Sequence, residues 1–260
     1  MNLEIHTKQT EEGIVIEPAG RDELLPGIIM IHGGAFYLPL QVYALILACS
    51  YARDLGARII LPEYRLVPGH AAPAQLEDCM SVWKKFSENG PAYGIDPGRI
   101  LVGGDSAGAA LAAGMCIALR DKGGRLPKGQ LLLYPVLDNR SERYASCTRY
   151  AGEAGWTLKA NQLMWAAYLK QTEDKMLPYL IPMRCADLSG LPPAYIEPQE
   201  IDILCDEACA YAEALRAAGV PAELNLISGS YHGFDKDTES PLVHRVLAQR
   251  VSAAREMLEH

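Results

Sequence analysis

The stretch Ile100-Leu101-Val102-Gly103-Gly104-Asp105-Ser106-Ala107-Gly108 carries the most structural information in the chain. It begins as a short continuous apolar run and ends by opening the helical pattern of residues 106–122. Between them lies Gly104-Asp105-Ser106-Ala107-Gly108, a G-x-S-x-G sequence at a strand-to-helix turn. A serine held there is pushed out at the carboxyl edge of a sheet. The free N–H groups of the helix N-terminus face any negative charge that develops beside it. A phosphate cradle does not fit, because no G-K-[ST] follows and the glycines are not spaced G-x-G-x-x-G.

Further apolar runs lie on either side of this stretch. They are Ile28–Ile31, Ile59–Leu61, Leu131–Tyr134, Ala194–Ile196 and Leu224–Ile227. Most are continuous rather than alternating, as expected of strands buried on both faces of a parallel sheet. Helical patterns separate them at residues 41–55, 74–89, 106–122, 203–218 and 242–257. Gly56 and Gly219 stand where helix C-terminal glycines are expected. Strand and helix in alternation imply a doubly wound, mostly parallel α/β sheet with flanking helices. The runs Leu3–Thr7 and Ile14–Glu17, on either side of Glu11-Glu12-Gly13, suggest an antiparallel hairpin at the sheet edge. The segment 139–190 is longer than a simple crossover requires. It contains a helical stretch at 157–170 and reads as an insertion over the site.

The 260 residues fit one such domain, 1–260, and the ending Leu258-Glu259-His260 resembles the stub of an expression tag. Apolar residues make up 49% and charged residues 22%, which excludes a disordered chain. The net charge of −8, without a basic run, argues against a nucleic-acid partner. No stretch approaches the length of a membrane span; the longest candidate, 42–50, is far too short. The start of the chain lacks the basic and apolar regions of a secretion signal. Seven cysteines, an odd number set mostly in apolar patterns, suggest reduced thiols and a cytoplasmic protein. Cys205 and Cys209, four apart on a helix, read as packing rather than a metal site, and no metal or organic cofactor is expected.

A nucleophilic Ser106 requires a base. His232 lies in the glycine-containing loop Gly229-Ser230-Tyr231-His232-Gly233-Phe234, after the last strand and on the same rim as Ser106. His6 falls in the hairpin, His32 at a strand end, His70 in a proline-rich loop, His244 in the last helix and His260 in the tag-like end. Two carboxylates, Asp138 and Asp202, follow strands between the serine and the histidine, and either could orient the imidazole. Asp105 is expected to point away from the turn in a hydrogen-bonding role. Backbone donors for an oxyanion are expected from Ala107 and from the loop His32-Gly33-Gly34-Ala35-Phe36. Trp156 and Trp165 are candidates either for the mouth of the site or for the core.

Taken in order, His32–Phe36, Tyr64–Pro68, Leu76–Asp78, Gly103–Gly108, Leu133–Pro135, Asp202–Glu207 and Tyr231–Phe234 resemble the hormone-sensitive-lipase-like bacterial esterases of the α/β-hydrolase superfamily. The resemblance spans about residues 27–257. It implies an α/β-hydrolase fold and selects Asp202 over Asp138, giving a triad of Ser106, Asp202 and His232. It also implies oxyanion donors among Gly33, Gly34, Ala35 and Ala107, with Phe36 and Tyr231 contacting substrate. The expected activity is hydrolysis of a small-molecule, short-acyl ester through an acyl-serine. Deacetylation of acetylated sugars or amide hydrolysis are alternatives on the same triad, and a ligand-binding protein without turnover is a third.

Two departures from the family are visible. Ala35 stands where the family usually has a third glycine. The family's N-terminal stretch is also longer, so the insertion is expected to cover the site alone, leaving an open acyl pocket, with oligomerisation able to supply further cover.

Overall fold

The computed structural model describes residues 4–152 and 155–259. Leu3 of the expected hairpin, residues 153–154 of the expected insertion and His260 lie outside the described residues. The described residues form ten strands: β1 (Ile5–Thr10), β2 (Gly13–Pro18), β3 (Leu25–Ile31), β4 (Arg58–Pro62), β5 (Ile95–Asp105), β6 (Gln130–Leu133), β7 (Ala194–Glu197), β8 (Gln199–Ile201), β9 (Ala222–Leu224) and β10 (Ile227–Tyr231). The helices are α1 (Val42–Leu55), α2 (Ala74–Asn89), α3 (Ala107–Asp121), α4 (Ala145–Arg149), α5 (Leu158–Tyr168), α6 (Leu177–Leu180), α7 (Cys205–Ala217) and α8 (Pro241–Glu259).

Eight strands form one sheet in the order β1-β2-β4-β3-β5-β6-β7-β9. It is parallel except at one end, where β1 and β2 form an antiparallel hairpin and β2 runs antiparallel to β4. The continuous apolar runs have a direct physical cause. Ile29 and Ile31 pack into the core on one face, with α2, α3 and α7, while Ile28 and Met30 pack into the core on the other, with α1 and α8. With both faces covered, successive residues of a central strand are all buried and alternation disappears.

The register brings the functional segments together. Ile31, at the end of β3, pairs with Gly104 in β5, and Asp105 pairs with Leu133 of β6, which in turn pairs with Glu197 of β7. The chain therefore leaves β3, β5, β6 and β7 side by side on one rim, where crevices of open α/β sheets form.

The last expected strand is corrected. Leu224–Ile227 is not one element: β9 ends at Leu224 in the main sheet, and β10 begins at Ile227 in a separate two-stranded sheet with β8. Asn225 breaks the run, its N–H donating to the Ile196 carbonyl and its side chain to the Tyr195 hydroxyl. In the small parallel sheet Tyr231 pairs with Ile201. His232 and Asp202 are the residues that directly follow these two strand ends.

Candidate active site

Ser106 occupies a strained turn. Its φ of 52° and ψ of −116° lie outside the regions an L-residue prefers. The turn is tight because its flanks are glycine: a Cβ at Gly104 or at Gly108 would overlap backbone atoms, among them the Ile31 carbonyl oxygen. The Ser106 N–H donates to Leu133 O at 2.9 Å, fixing the turn to β6.

The hydroxyl Oγ of Ser106 lies 3.0 Å from Nε2 of His232. Nδ1 of His232 lies 2.7 Å from Oδ2 of Asp202, and with that partner Nδ1 carries the proton and Nε2 is free to accept one. The second oxygen of Asp202 accepts the Leu204 N–H at 3.1 Å, fixing the carboxylate plane. All three side chains are buried. Asp138 is committed elsewhere. It pairs with Arg140 and accepts the Tyr144 hydroxyl at 2.8 Å. Burial pushes its pKa up, but these partners outweigh burial and hold it below the ordinary carboxylate range. Of the two carboxylates that the residues alone left open, the structure brings Asp202 to His232.

The loop after β3 lies beside the serine, and its amides divide into two groups. The Gly33 N–H donates to Asp105 Oδ1 at 2.9 Å. Gly33 is thereby corrected as an oxyanion donor, because its proton is already used to hold the loop. Gly34 and Ala35 line the same cleft as Ser106. Ala107 is the first residue of α3, where helix geometry leaves the N–H without an intrahelical acceptor. Ala35 has a φ of 57°, so an L-residue sits in the left-handed region that the family's glycine would occupy without strain.

Asp105 also accepts the Tyr43 hydroxyl on Oδ2, at 3.0 Å. Burial and the nearby Asp235 carboxylate push its pKa up to about 6, against the pull of these two hydrogen bonds. Sequence reasoning gave no sign of Tyr43, which reaches the site from a helix 62 residues away along the chain.

The cleft measures about 720 Å³. The loop after β3 contributes Gly34, Ala35, Tyr37 and Leu38, and α5 of the insertion contributes Ala160, Leu163 and Met164. Trp156 joins them, its ring 6.0 Å from that of His232, while Trp165 is buried in the core. Gly155, with φ of 98°, lets the insertion's backbone press against the His232 loop, where a Cβ would come within 2.6 Å of the His232 carbonyl oxygen.

Two expected substrate contacts are corrected. Phe36 is completely buried, stacked on Tyr168 of α5 at 3.8 Å, so it ties the loop to the insertion and does not line the cleft. Tyr231 is 45% exposed and also lies outside the cleft lining, while its neighbour Ser230 is the residue that β10 buries there.

A protein-family model, Abhydrolase_3, described as alpha/beta hydrolase fold, matches residues 28–236. The chain belongs to this alpha/beta hydrolase family. Within the family it is similar to the carboxylic ester hydrolase LipN of Mycobacterium tuberculosis, with 37% identity over 80% of this chain and 57% of LipN. It is similar to the ethyl acetate hydrolase of Pseudomonas putida, at 33% identity over 84% of this chain and 69% of that enzyme. Among solved structures, a bacterial heroin esterase superposes with a TM-score of 0.88 at 32% identity, covering 98% of this chain and 84% of the other. The chain thus spans a little over half the length of LipN. Among the described residues, no helix is long and apolar enough to cross a membrane.

Proposed function

We propose that the protein is a serine carboxylesterase acting on small, short-acyl esters. The observation that carries this reading is the chain of contacts from Ser106 Oγ to His232 Nε2 at 3.0 Å and from His232 Nδ1 to Asp202 Oδ2 at 2.7 Å. Ser106 Oγ attacks the ester carbonyl carbon as its proton passes to His232 Nε2. The carbonyl oxygen becomes an oxyanion facing the N–H groups of Gly34, Ala35 and Ala107. Collapse breaks the ester C–O bond, and the leaving alcohol takes the proton from Nε2. Water then attacks the acyl-serine, gives its proton to Nε2, and releases the acid as the proton returns to Ser106. Asp202 keeps the Nδ1 proton throughout and stabilises the imidazolium.

Trp156, Leu163 and Met164 give the cleft its apolar wall beside the site, where an acyl group would lie. Similarity to an ethyl acetate hydrolase and a heroin esterase supports the short-acyl preference. We place the protein in the cytoplasm, where seven cysteines without disulfide bonds stay reduced. Hydrolysis of p-nitrophenyl esters from acetate to palmitate tests the reading. Turnover concentrated on acetate and butyrate supports it, and turnover only of long chains overturns the short-acyl assignment.

A further inference from the structure

The last helix carries a side chain that does not belong on its apolar face. Val243, Val246, Leu247, Val251 and Ala254 of α8 pack into the core, and Arg250 lies among them with no exposed surface. A buried guanidinium is costly unless its charge is paired and hydrogen-bonded. Here Nε and Nη2 form a two-pronged contact with Glu197, at 2.8 and 2.6 Å, and Nη1 donates to Asp235 at 2.9 Å.

The positions of those two carboxylates along the chain give the arrangement its meaning. Glu197 ends β7, five residues before Asp202. Asp235 lies three residues after His232. The small sheet of β8 and β10 lies between these points in sequence, with Ile201 paired to Tyr231. Two side-chain links reinforce the clamp. Gln199 donates to Glu197 at 3.0 Å and accepts the hydroxyl of Ser230, two residues before His232. Tyr134 donates to Asp235 at 2.7 Å and sets its ring edge-on to the His232 imidazole, 5.1 Å between centroids.

We infer that Arg250 is a positioning residue that holds the segment carrying Asp202 and the loop carrying His232 at their working separation. The inference rests on the serine-esterase reading for its kinetic consequence, but not for its geometric one. Arg250 touches none of the reacting atoms. It acts through Glu197 on one side and through Asp235 and Tyr134 on the other. A hydrophobic residue of similar volume could pack the same space without desolvating three charges, so packing alone gives no reason for an arginine here.

The test is Arg250→Lys, which keeps the charge but cannot reproduce a planar fork that spans two carboxylates. Folding is checked by circular dichroism. Wild-type and variant proteins are then compared in kcat, in KM for p-nitrophenyl acetate, and in the downfield proton NMR signal of His232 Nδ1–H. The expected result for a folded variant is a kcat lower by about 10- to 100-fold with KM within about twofold, because small displacements of reacting groups cost rate rather than binding. The Nδ1–H signal is expected to shift or broaden. A folded variant with wild-type kcat and an unchanged signal overturns the proposal.

If Arg250→Lys does not fold, Tyr134→Phe carries the same test, since it removes one hydroxyl and cuts only the link to Asp235. A fall in kcat of about 5-fold with KM unchanged and the signal shifted supports the clamp. Wild-type values overturn it. If the wild-type protein hydrolyses no ester, the esterase reading fails, while the NMR comparison still decides whether Arg250 sets the contact between His232 and Asp202.

Discussion

The Gly33 N–H lies 2.9 Å from Oδ1 of Asp105, which joins the glycine-rich loop to the residue just before Ser106. Both segments leave neighbouring strands, paired at Ile31 and Gly104. This hydrogen bond sets how the loop approaches the serine and leaves Gly34 and Ala35 facing the cleft. A Cβ at Gly33 would overlap the Asp105 carboxylate. Gly33→Ala is therefore expected to lower kcat by at least about 10-fold while KM changes less, since the loss falls on oxyanion stabilisation. Steady-state kinetics on p-nitrophenyl acetate check this, and an unchanged kcat contradicts the role given to the bond.

The same carboxylate makes stability depend on pH. The folded-state pKa of Asp105, about 6, lies above the ordinary aspartate value of 3.8. Its contribution is therefore fully present below pH 3.8 and is lost as pH rises through about 6. Asp105→Asn removes this titration while still accepting the Gly33 N–H. Its melting temperature relative to wild type is expected to be higher at pH 7 than at pH 4.5. Thermal denaturation at the two pH values decides, and an equal offset at both contradicts the prediction.

Ala35 holds a φ of 57°. Ala35→Gly removes a left-handed strain of about 1 kcal/mol but makes the unfolded chain freer by a similar amount. The variant is expected to keep its stability within about 1 kcal/mol and its kcat within about threefold. Ala35→Val, which places a branched side chain in the same region, is expected to lower kcat at least about tenfold. Denaturant melts and kinetics on both variants check the pair. Equal activity in the two would show that the loop's backbone does not shape the site.

Trp156 sits over the site with its Nε1–H donating to Asn161 at 3.1 Å, which anchors the ring to α5. Trp156→Ala enlarges the cleft beside His232. The ratio of kcat/KM for hexanoate over acetate is expected to rise by about tenfold, the scale of one or two methylenes accommodated in an apolar pocket. A ratio unchanged or lowered would mean that another wall limits chain length.

Much of the architecture is legible in the sequence because it depends on local rules. Continuous apolar runs mark strands covered on both faces, and Gly56 adopts the left-handed conformation expected after α1. The corrections come from pairing between segments distant in sequence. Asp138 carries a local mark, Arg140 two residues on, which takes its carboxylate; what brings Asp202 to His232 is the long-range pairing of Ile201 with Tyr231. Phe36 reads as a substrate contact only until α5, from the insertion, covers its ring. Arg250 did leave a trace. With Val243, Leu247 and Ala254 it occupies positions i, i+4, i+7 and i+11 of one helical stripe, and a charge on such a stripe marks a buried partner.

On the proposed function, Ser106 is the nucleophile of an ester hydrolase. The most direct test compares p-nitrophenyl acetate hydrolysis by wild type and Ser106→Ala at equal protein concentration, with melting temperatures recorded for both. Wild type is expected to turn over rapidly, with a fall of at least about 10³-fold in the variant and little change in its melting temperature. A variant that hydrolyses the ester at the wild-type rate would contradict that role.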